Sequence, residues 1–219
     1  MDALLTRCVG WLQPVLSASF LVSGSVLRVG LVSDIHCNLN GLDDALALMG
    51  SVDEVWCAGD AFNQYRFSNE VVARIQEIGA RYILGNHEDM LLAPSGERAQ
   101  NNPNVDQRLL AWVRDRPHFV EAALGGREVL MFHSTPWEPY EEYIYPHSRD
   151  LARLGELNFD IAIYGHTHMQ LAREVNGTLI VNPGSAGLGQ DPSNGKKLSC
   201  AVLETDDRTV AFYNYDMRR

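Results

Sequence analysis

Leu27-Arg28-Val29-Gly30-Leu31-Val32-Ser33-Asp34-Ile35-His36 is the stretch on which the reading of the fold turns. Residues 27–32 form a short apolar run without polar alternation, the pattern of a strand covered on both faces. The chain then turns polar at once. A carboxylate and an imidazole directly after such a strand stand at its carboxyl end, where open α/β sheets bind ligands.

The same pattern recurs along the chain. Residues 54–58 run into Gly59-Asp60, and 81–84 into Gly85-Asn86-His87-Glu88. Residues 129–132 run into His133, and 161–164 into Gly165-His166-Thr167-His168. A further run, 179–181, ends in Asn182-Pro183-Gly184-Ser185. Residues 198–204 and 209–215 read as a final antiparallel pair around Asp206-Asp207-Arg208.

Helical faces separate the runs. Leu42, Ala45, Leu46 and Met49 make one, and Val71, Val72, Ile75 and Ile78 another, with Ser68 as its cap and Gly79 as its end. Leu109, Leu110 and Val113 make a third, and Leu151, Leu154 and Leu157 a fourth. Strands alternating with helices imply an α/β core with much parallel pairing. Residues 93–104 and 136–148 read as surface loops.

Of the seven histidines, only His118 and His147 fall outside the strand ends. Imidazoles, carboxylates and an amide oxygen are metal ligands by type. Asp34 and His36, like His166 and His168, are two residues apart, so an extended strand end aims each pair one way. Asp60 has two carboxylate oxygens and is the candidate bridge between two ions, which sit about 3.5–4 Å apart in two-metal hydrolases. D-x-H or G-D alone says little. Five such blocks, each at a strand end, predict a site.

The chain has 219 residues and a net charge of −10. That balance argues against sequence-independent nucleic-acid binding, which needs Lys and Arg to neutralise phosphates. It leaves small phosphate substrates open, because bound cations supply local positive charge. Cys8, Cys37, Cys57 and Cys200 are scattered without a C-x-x-C pair, which reads as reduced thiols in a cytoplasmic protein. Residues 1–26 read as a loosely ordered extension, with a targeting segment as the alternative. Residues 27–219 read as a single domain. No other segment reaches the roughly 20 apolar residues a membrane helix needs.

At these residues the sequence resembles the calcineurin-like metallophosphoesterase superfamily, whose pattern is D-x-H, G-D, G-N-H-[DE], a later His and G-H-x-H. Ser33 to Leu42, His133-Ser134-Thr135-Pro136, Glu142-Tyr143 and Asn182 to Ser185 resemble a branch of small bacterial and archaeal phosphodiesterases. The resemblance implies a sandwich of two mixed β-sheets flanked by helices. It implies one metal on Asp34, His36, Asp60 and His168, and a second on Asp60, Asn86, His133 and His166. His87 is then the catalytic histidine. The ions are manganese by preference, with iron, zinc, nickel or cobalt as other occupants. The implied reaction is hydrolysis of a phosphodiester or phosphomonoester of a small molecule, by attack of a metal-bridging hydroxide. His87, as an imidazolium, donates a proton to the leaving oxygen or stabilises its charge.

Three departures stand out. Cys37 replaces a common Gly. Asn63 stands where protein phosphatases keep a carboxylate that orients the histidine, and their following Arg is missing. Residues 63–65 also differ from the small branch. A phosphoprotein or dinucleoside-polyphosphate phosphatase and a non-catalytic interaction module on the same fold are the competing readings. The aromatic stretch from Pro136 to Tyr145 is a candidate lid over a base or aryl group, led by Trp137, or else a cover for the core or a subunit contact.

Overall fold

The computed structural model describes residues 27–218. In chain order the main elements are β1 (Arg28–Val32), α1 (Leu39–Met49), β2 (Glu54–Cys57), α2 (Asn69–Glu77), β3 (Arg81–Tyr82), α3 (Asn86–Leu92), α4 (Glu97–Gln100), α5 (Gln107–Arg114), β4 (Phe119–Leu124) and β5 (Arg127–Phe132). They continue as α6 (Leu151–Leu154), β6 (Ile161–Ile163), β7 (Gln170–Val175), β8 (Thr178–Pro183), β9 (Leu198–Glu204) and β10 (Thr209–Tyr215). The extension expected over residues 1–26 lies outside the described residues. No described helix is long and apolar enough to cross a membrane.

Two five-stranded sheets form, in the orders β10-β9-β1-β2-β3 and β4-β5-β6-β8-β7. Each has three parallel neighbours, β1-β2-β3 and β5-β6-β8, extended by antiparallel strands. Both sheets are therefore mixed, as the resemblance implied.

The apolar runs lack alternation because both faces of these strands are covered. In β1, Val29 and Leu31 enter the layer between the sheets with Trp56, Ile83, Met131, Ile163 and Val181. The next residue over, Val32, joins Leu42, Met49, Val72 and Ile75 under the helices. On the far side, Leu130, Phe132, Tyr164 and Ile180 pack beneath α6 and Ile144. Ser68 caps α2 through a bond from Val71 N–H, and Gly79 follows its end with φ +63°.

Some elements differ from the sequence reading. β4 and β7 were not anticipated, because charged residues interrupt both edge strands, Glu121 in the one and Arg173 and Glu174 in the other. Residues 93–104, read as a loop, hold a 3-10 turn and the short α4. Gln100 makes that turn possible: its buried amide donates to the carbonyls of Leu91 and Ala93. The helix expected to reach Leu157 stops at Leu154, with Gly155 next and Asn158 in the left-handed region.

Trp56 is fully buried between the sheets, with its indole N–H donating to Glu54 at 2.9 Å. Trp56→Ala should lower unfolding free energy by about 3–5 kcal/mol. A urea titration showing less than about 1 kcal/mol would mean that this layer does not hold the sheets together.

Candidate metal centre

The carboxyl ends of β1, β2, β5 and β6 meet at one edge of the sandwich. His133 Nδ1 lies 2.7 Å from the Ala58 carbonyl, and His166 N–H donates to Asp34 Oδ2 at 3.0 Å. Those two bonds tie the second sheet's strand ends to the first's. Three sets of side chains gather there: Asp34, His36 and His168; His36, Asp60 and His87; Asp60, His133 and His166. Within each set the ligand-type atoms lie within 4.8 Å of one another. Asn86 joins them, its Oδ1 at 3.0 Å from His133 Nε2 and 2.9 Å from His166 Nδ1. All eight sequence-predicted residues thus converge.

The backbone that delivers them is unusual. Asp34, His36, Asp60, His166 and His168 all have φ between +48° and +65°. An extended strand end therefore does not aim the pairs, as the sequence reading assumed. Asp34 and His36 do share one set, but His166 and His168 fall in different sets. Both pairs lie in left-handed turns rather than on extended strand, so strand alternation does not set where they point. Such backbone costs about 1–3 kcal/mol per residue and persists only where surroundings impose it. Here the imposing bonds are Asp34 N–H to Gly59, His36 N–H to Asp60 and Cys37 N–H to Ala61.

Three imidazoles are anchored alike. His133 Nδ1 faces the Ala58 carbonyl, His168 Nδ1 the Leu188 carbonyl at 3.0 Å, and His36 Nδ1 the Asn63 side-chain oxygen at 3.1 Å. Each of these partners only accepts, so each Nδ1 carries a proton and donates. That leaves the Nε2 atoms pointing into the cluster, where a bound cation would take the place of any proton they carry, the arrangement of metal-bound histidines. His36 Nε2 and His168 Nε2 face each other at 3.0 Å, and His168 Nε2 lies 3.2 Å from Asp34 Oδ1. Asp34 Oδ1 is buried and has no hydrogen-bond partner. Two ring nitrogens facing each other beside that carboxylate oxygen make a donor set suited to a cation.

His87 differs. Its Nδ1 accepts a 2.5 Å bond from Gln64 N–H, so in the neutral ring the proton sits on Nε2, 3.7 Å from Asp60 Oδ2. His87 thus turns a donor to the cluster where the other three turn a ring nitrogen open to a cation. Asn63, flagged as a missing orienting carboxylate, grips His36 instead, also donating to its carbonyl at 3.3 Å.

The electrostatics follow from burial and close pairing. Burial opposes ionisation of Asp34 and Asp60, but His168 and His133 hold the two carboxyls below their usual range. Burial alone would depress His133; the Asp60 charge and bond lift it to about 10. Burial, with the neighbouring His133, holds His166 down to about 4.

Sequence reasoning gave no role to several supporting residues. Glu88 is fully buried and accepts from the N–H groups of Gly85, Asp60 and Ala61 at 2.8–2.9 Å. It locks two ligand loops to each other, and burial with the Asp60 charge pushes its carboxyl up to about 7. Gly85 packs so tightly that a Cβ would collide with Asp60. Asn182 donates to the Gly165 carbonyl at 2.7 Å, and Ser185 Oγ to the Asp34 carbonyl at 2.7 Å. The Asn182-Pro183-Gly184-Ser185 stretch therefore braces the Gly165 and Asp34 loops. Its signal was a polar residue ending a fully buried strand, which must find a partner.

A sequence profile of the calcineurin-like phosphoesterase superfamily domain matches residues 27–208. The chain belongs to that superfamily. An uncharacterised protein of Methanocaldococcus jannaschii, MJ0912, is 23% identical over 87% of this chain and 89% of its own length. A metallophosphoesterase from Sphaerobacter thermophilus superposes with a TM-score of 0.74 at 23% identity, covering 89% of this chain and 90% of that one. A novel archaeal phosphodiesterase superposes with a TM-score of 0.56 at 18% identity, covering 86% of this chain and all of its own, 100%. These likenesses show the shared two-sheet fold.

Glu88→Gln replaces one of the accepting oxygens by a donor facing an N–H group. The variant should lose about 1–3 kcal/mol of stability. An unchanged denaturation midpoint would show that the two loops hold without this carboxylate.

Proposed function

We propose that this protein is a phosphoric ester hydrolase working with two divalent metal ions. Asp34, His36, Asp60 and His168 would hold one, and Asp60, Asn86, His133 and His166 the other, with Asp60 shared. The observation that carries the reading is the common anchoring of His36, His133 and His168 through Nδ1, which turns three Nε2 atoms on to Asp34 and Asp60. Two such ions supply Lewis acidity toward phosphoryl oxygens and make water acidic enough to act as a nucleophile. Manganese is the proposed metal, and the mixed nitrogen and oxygen donors also suit iron, zinc, nickel or cobalt.

The chain's own groups do the rest. His87, fixed by Gln64 N–H, presents Nε2–H beside Asp60 and donates a hydrogen bond to the substrate oxygen that gains charge. Glu88, buried and bonded to three amides, keeps Asp60 and Asn86 in register. The left-handed ligand backbone is fixed before substrate arrives, so little reorganisation remains for the reaction. We propose a small phosphodiester as substrate, in a cytoplasmic setting. The acidic chain disfavours a polyanionic nucleic acid. The archaeal phosphodiesterase of the same fold supports that choice. A non-catalytic module would have little reason to keep all seven ligand-type positions.

Manganese-loaded protein should hydrolyse bis(4-nitrophenyl) phosphate, and chelation should stop it. His87→Ala should cut turnover about 10²–10³-fold while metal content per chain stays unchanged. Full turnover in that variant removes the donor role. Asp60→Asn should lose metal and turnover together; a loaded, active Asp60→Asn protein rules out the shared carboxylate.

A further inference from the structure

We infer that the row of rings running outward from His166 is a stacking platform that selects phosphate esters carrying a planar aromatic group, a nucleobase or an aryl ring. The inference rests on the hydrolase reading, because it names the substrate class of that same site.

The row starts in the sequence. Tyr143-Ile144-Tyr145-Pro146-His147 alternates rings with Ile and Pro. Ile144 is buried in the core under the second sheet, and its carbonyl accepts from Tyr164 O–H at 2.9 Å. The Pro146 carbonyl accepts from Arg173 at 2.8 Å. With those positions pinned inward, residues 143, 145 and 147 face outward together. Their planes nearly align. Tyr143 lies on the His166 imidazole with centroids 3.8 Å apart and planes 28° apart. Tyr145 follows at 5.8 Å and 15°, and His147 at 5.9 Å and 9°.

These rings spend their apolar area on each other and on solvent. Tyr143 is 51% exposed and Tyr145 37% exposed. One exposed ring is ordinary, whereas an aligned row that begins on a proposed metal ligand marks a binding surface. Offset parallel rings at these spacings attract one another and leave faces and edges for another π system. An aromatic group next to a phosphate seated at His166 would meet Tyr143 first and Tyr145 next.

The segment is a wall rather than a lid. Besides the bonds at Ile144 and Pro146, Thr135 Oγ1 donates to the Glu138 carbonyl at 2.7 Å and accepts from Glu138 N–H at 2.9 Å. Ser134 Oγ donates to the Glu142 carbonyl. Trp137, which the sequence reading put first, is not available for stacking. Its indole N–H donates to Glu142, Arg153 lies 4.0 Å over its ring, and it packs against the core under the second sheet. Tyr140 is engaged with His118. Glu142 is paired with Arg153 at 3.0 Å, which lessens its repulsion of a phosphate.

The test uses the full chain with Mn²⁺ supplied. It is titrated with AMP and with ribose 5-phosphate, which differ at C1′, where one carries adenine and the other a hydroxyl. AMP should bind at least about tenfold tighter, in line with the stacking of one base. In Tyr143→Ala and Tyr145→Ala that ratio should fall toward one, and in Tyr143→Phe and Tyr145→Phe it should survive. Disturbance of His166 by Tyr143→Ala would weaken both ligands alike, so the ratio isolates the stack. Equal affinities in the unmodified protein, or a ratio untouched by both alanine variants, overturns the platform. Absence of phosphodiester turnover with the affinity ratio intact would instead fail the hydrolase reading alone.

Discussion

Five of the proposed metal ligands sit in left-handed backbone, and none of them is glycine. An L-residue does not rest there unaided. Asp34, His36 and Cys37 are held by amide bonds to the carbonyls of Gly59, Asp60 and Ala61. Ser185 and the amides after it grip the far side of the same turn. Glu88 closes the loop by binding the amides of Gly85, Asp60 and Ala61. The site is therefore a braid of strand-end turns, each fixing its neighbour. The strain in each turn is offset by bonds from another.

That braid needs the two sheets to meet. The apolar layer holding Val29, Leu31, Trp56, Met131 and Ile163 brings the carboxyl ends of β1 and β2 against those of β5 and β6. With the edges in contact, His133 reaches Ala58 and His166 reaches Asp34. Core packing and site geometry are thus one problem. Histidine chemistry then depends on which ring nitrogen the braid engages. Where Nδ1 donates to an oxygen, as in His36, His133 and His168, the ring turns Nε2 to the cluster, where a cation would replace any proton on it. Where Nδ1 accepts from an amide, as in His87, the ring offers a proton. A single hydrogen bond separates a ligand from a donor.

Much of this was legible in the chain. Apolar runs ending in Asp, His or Asn located the central strands, because strands covered on both faces have no alternation to hide them. The edge strands β4 and β7 were not legible, since exposed charged residues such as Glu121 and Arg173 break up their apolar pattern. Residue types suggested the ligand set and the family resemblance its pairing; the two-residue spacing alone would keep His166 and His168 together, and they fall in different sets. Asn63 was visible as a departure, yet its attachment to His36 needed coordinates. Glu88 was present in the quoted motif. Its three amide bonds depend on where Gly85 and Asp60 come together, which only the fold decides.

The account's central claim is that two cations share this braid, joined by Asp60. Anomalous diffraction from crystals of the manganese-loaded protein tests it most directly. The account predicts two peaks, one beside Asp34, His36 and His168, the other beside Asn86, His133 and His166, with Asp60 touching both. A single ion, or peaks remote from Asp60, would contradict it.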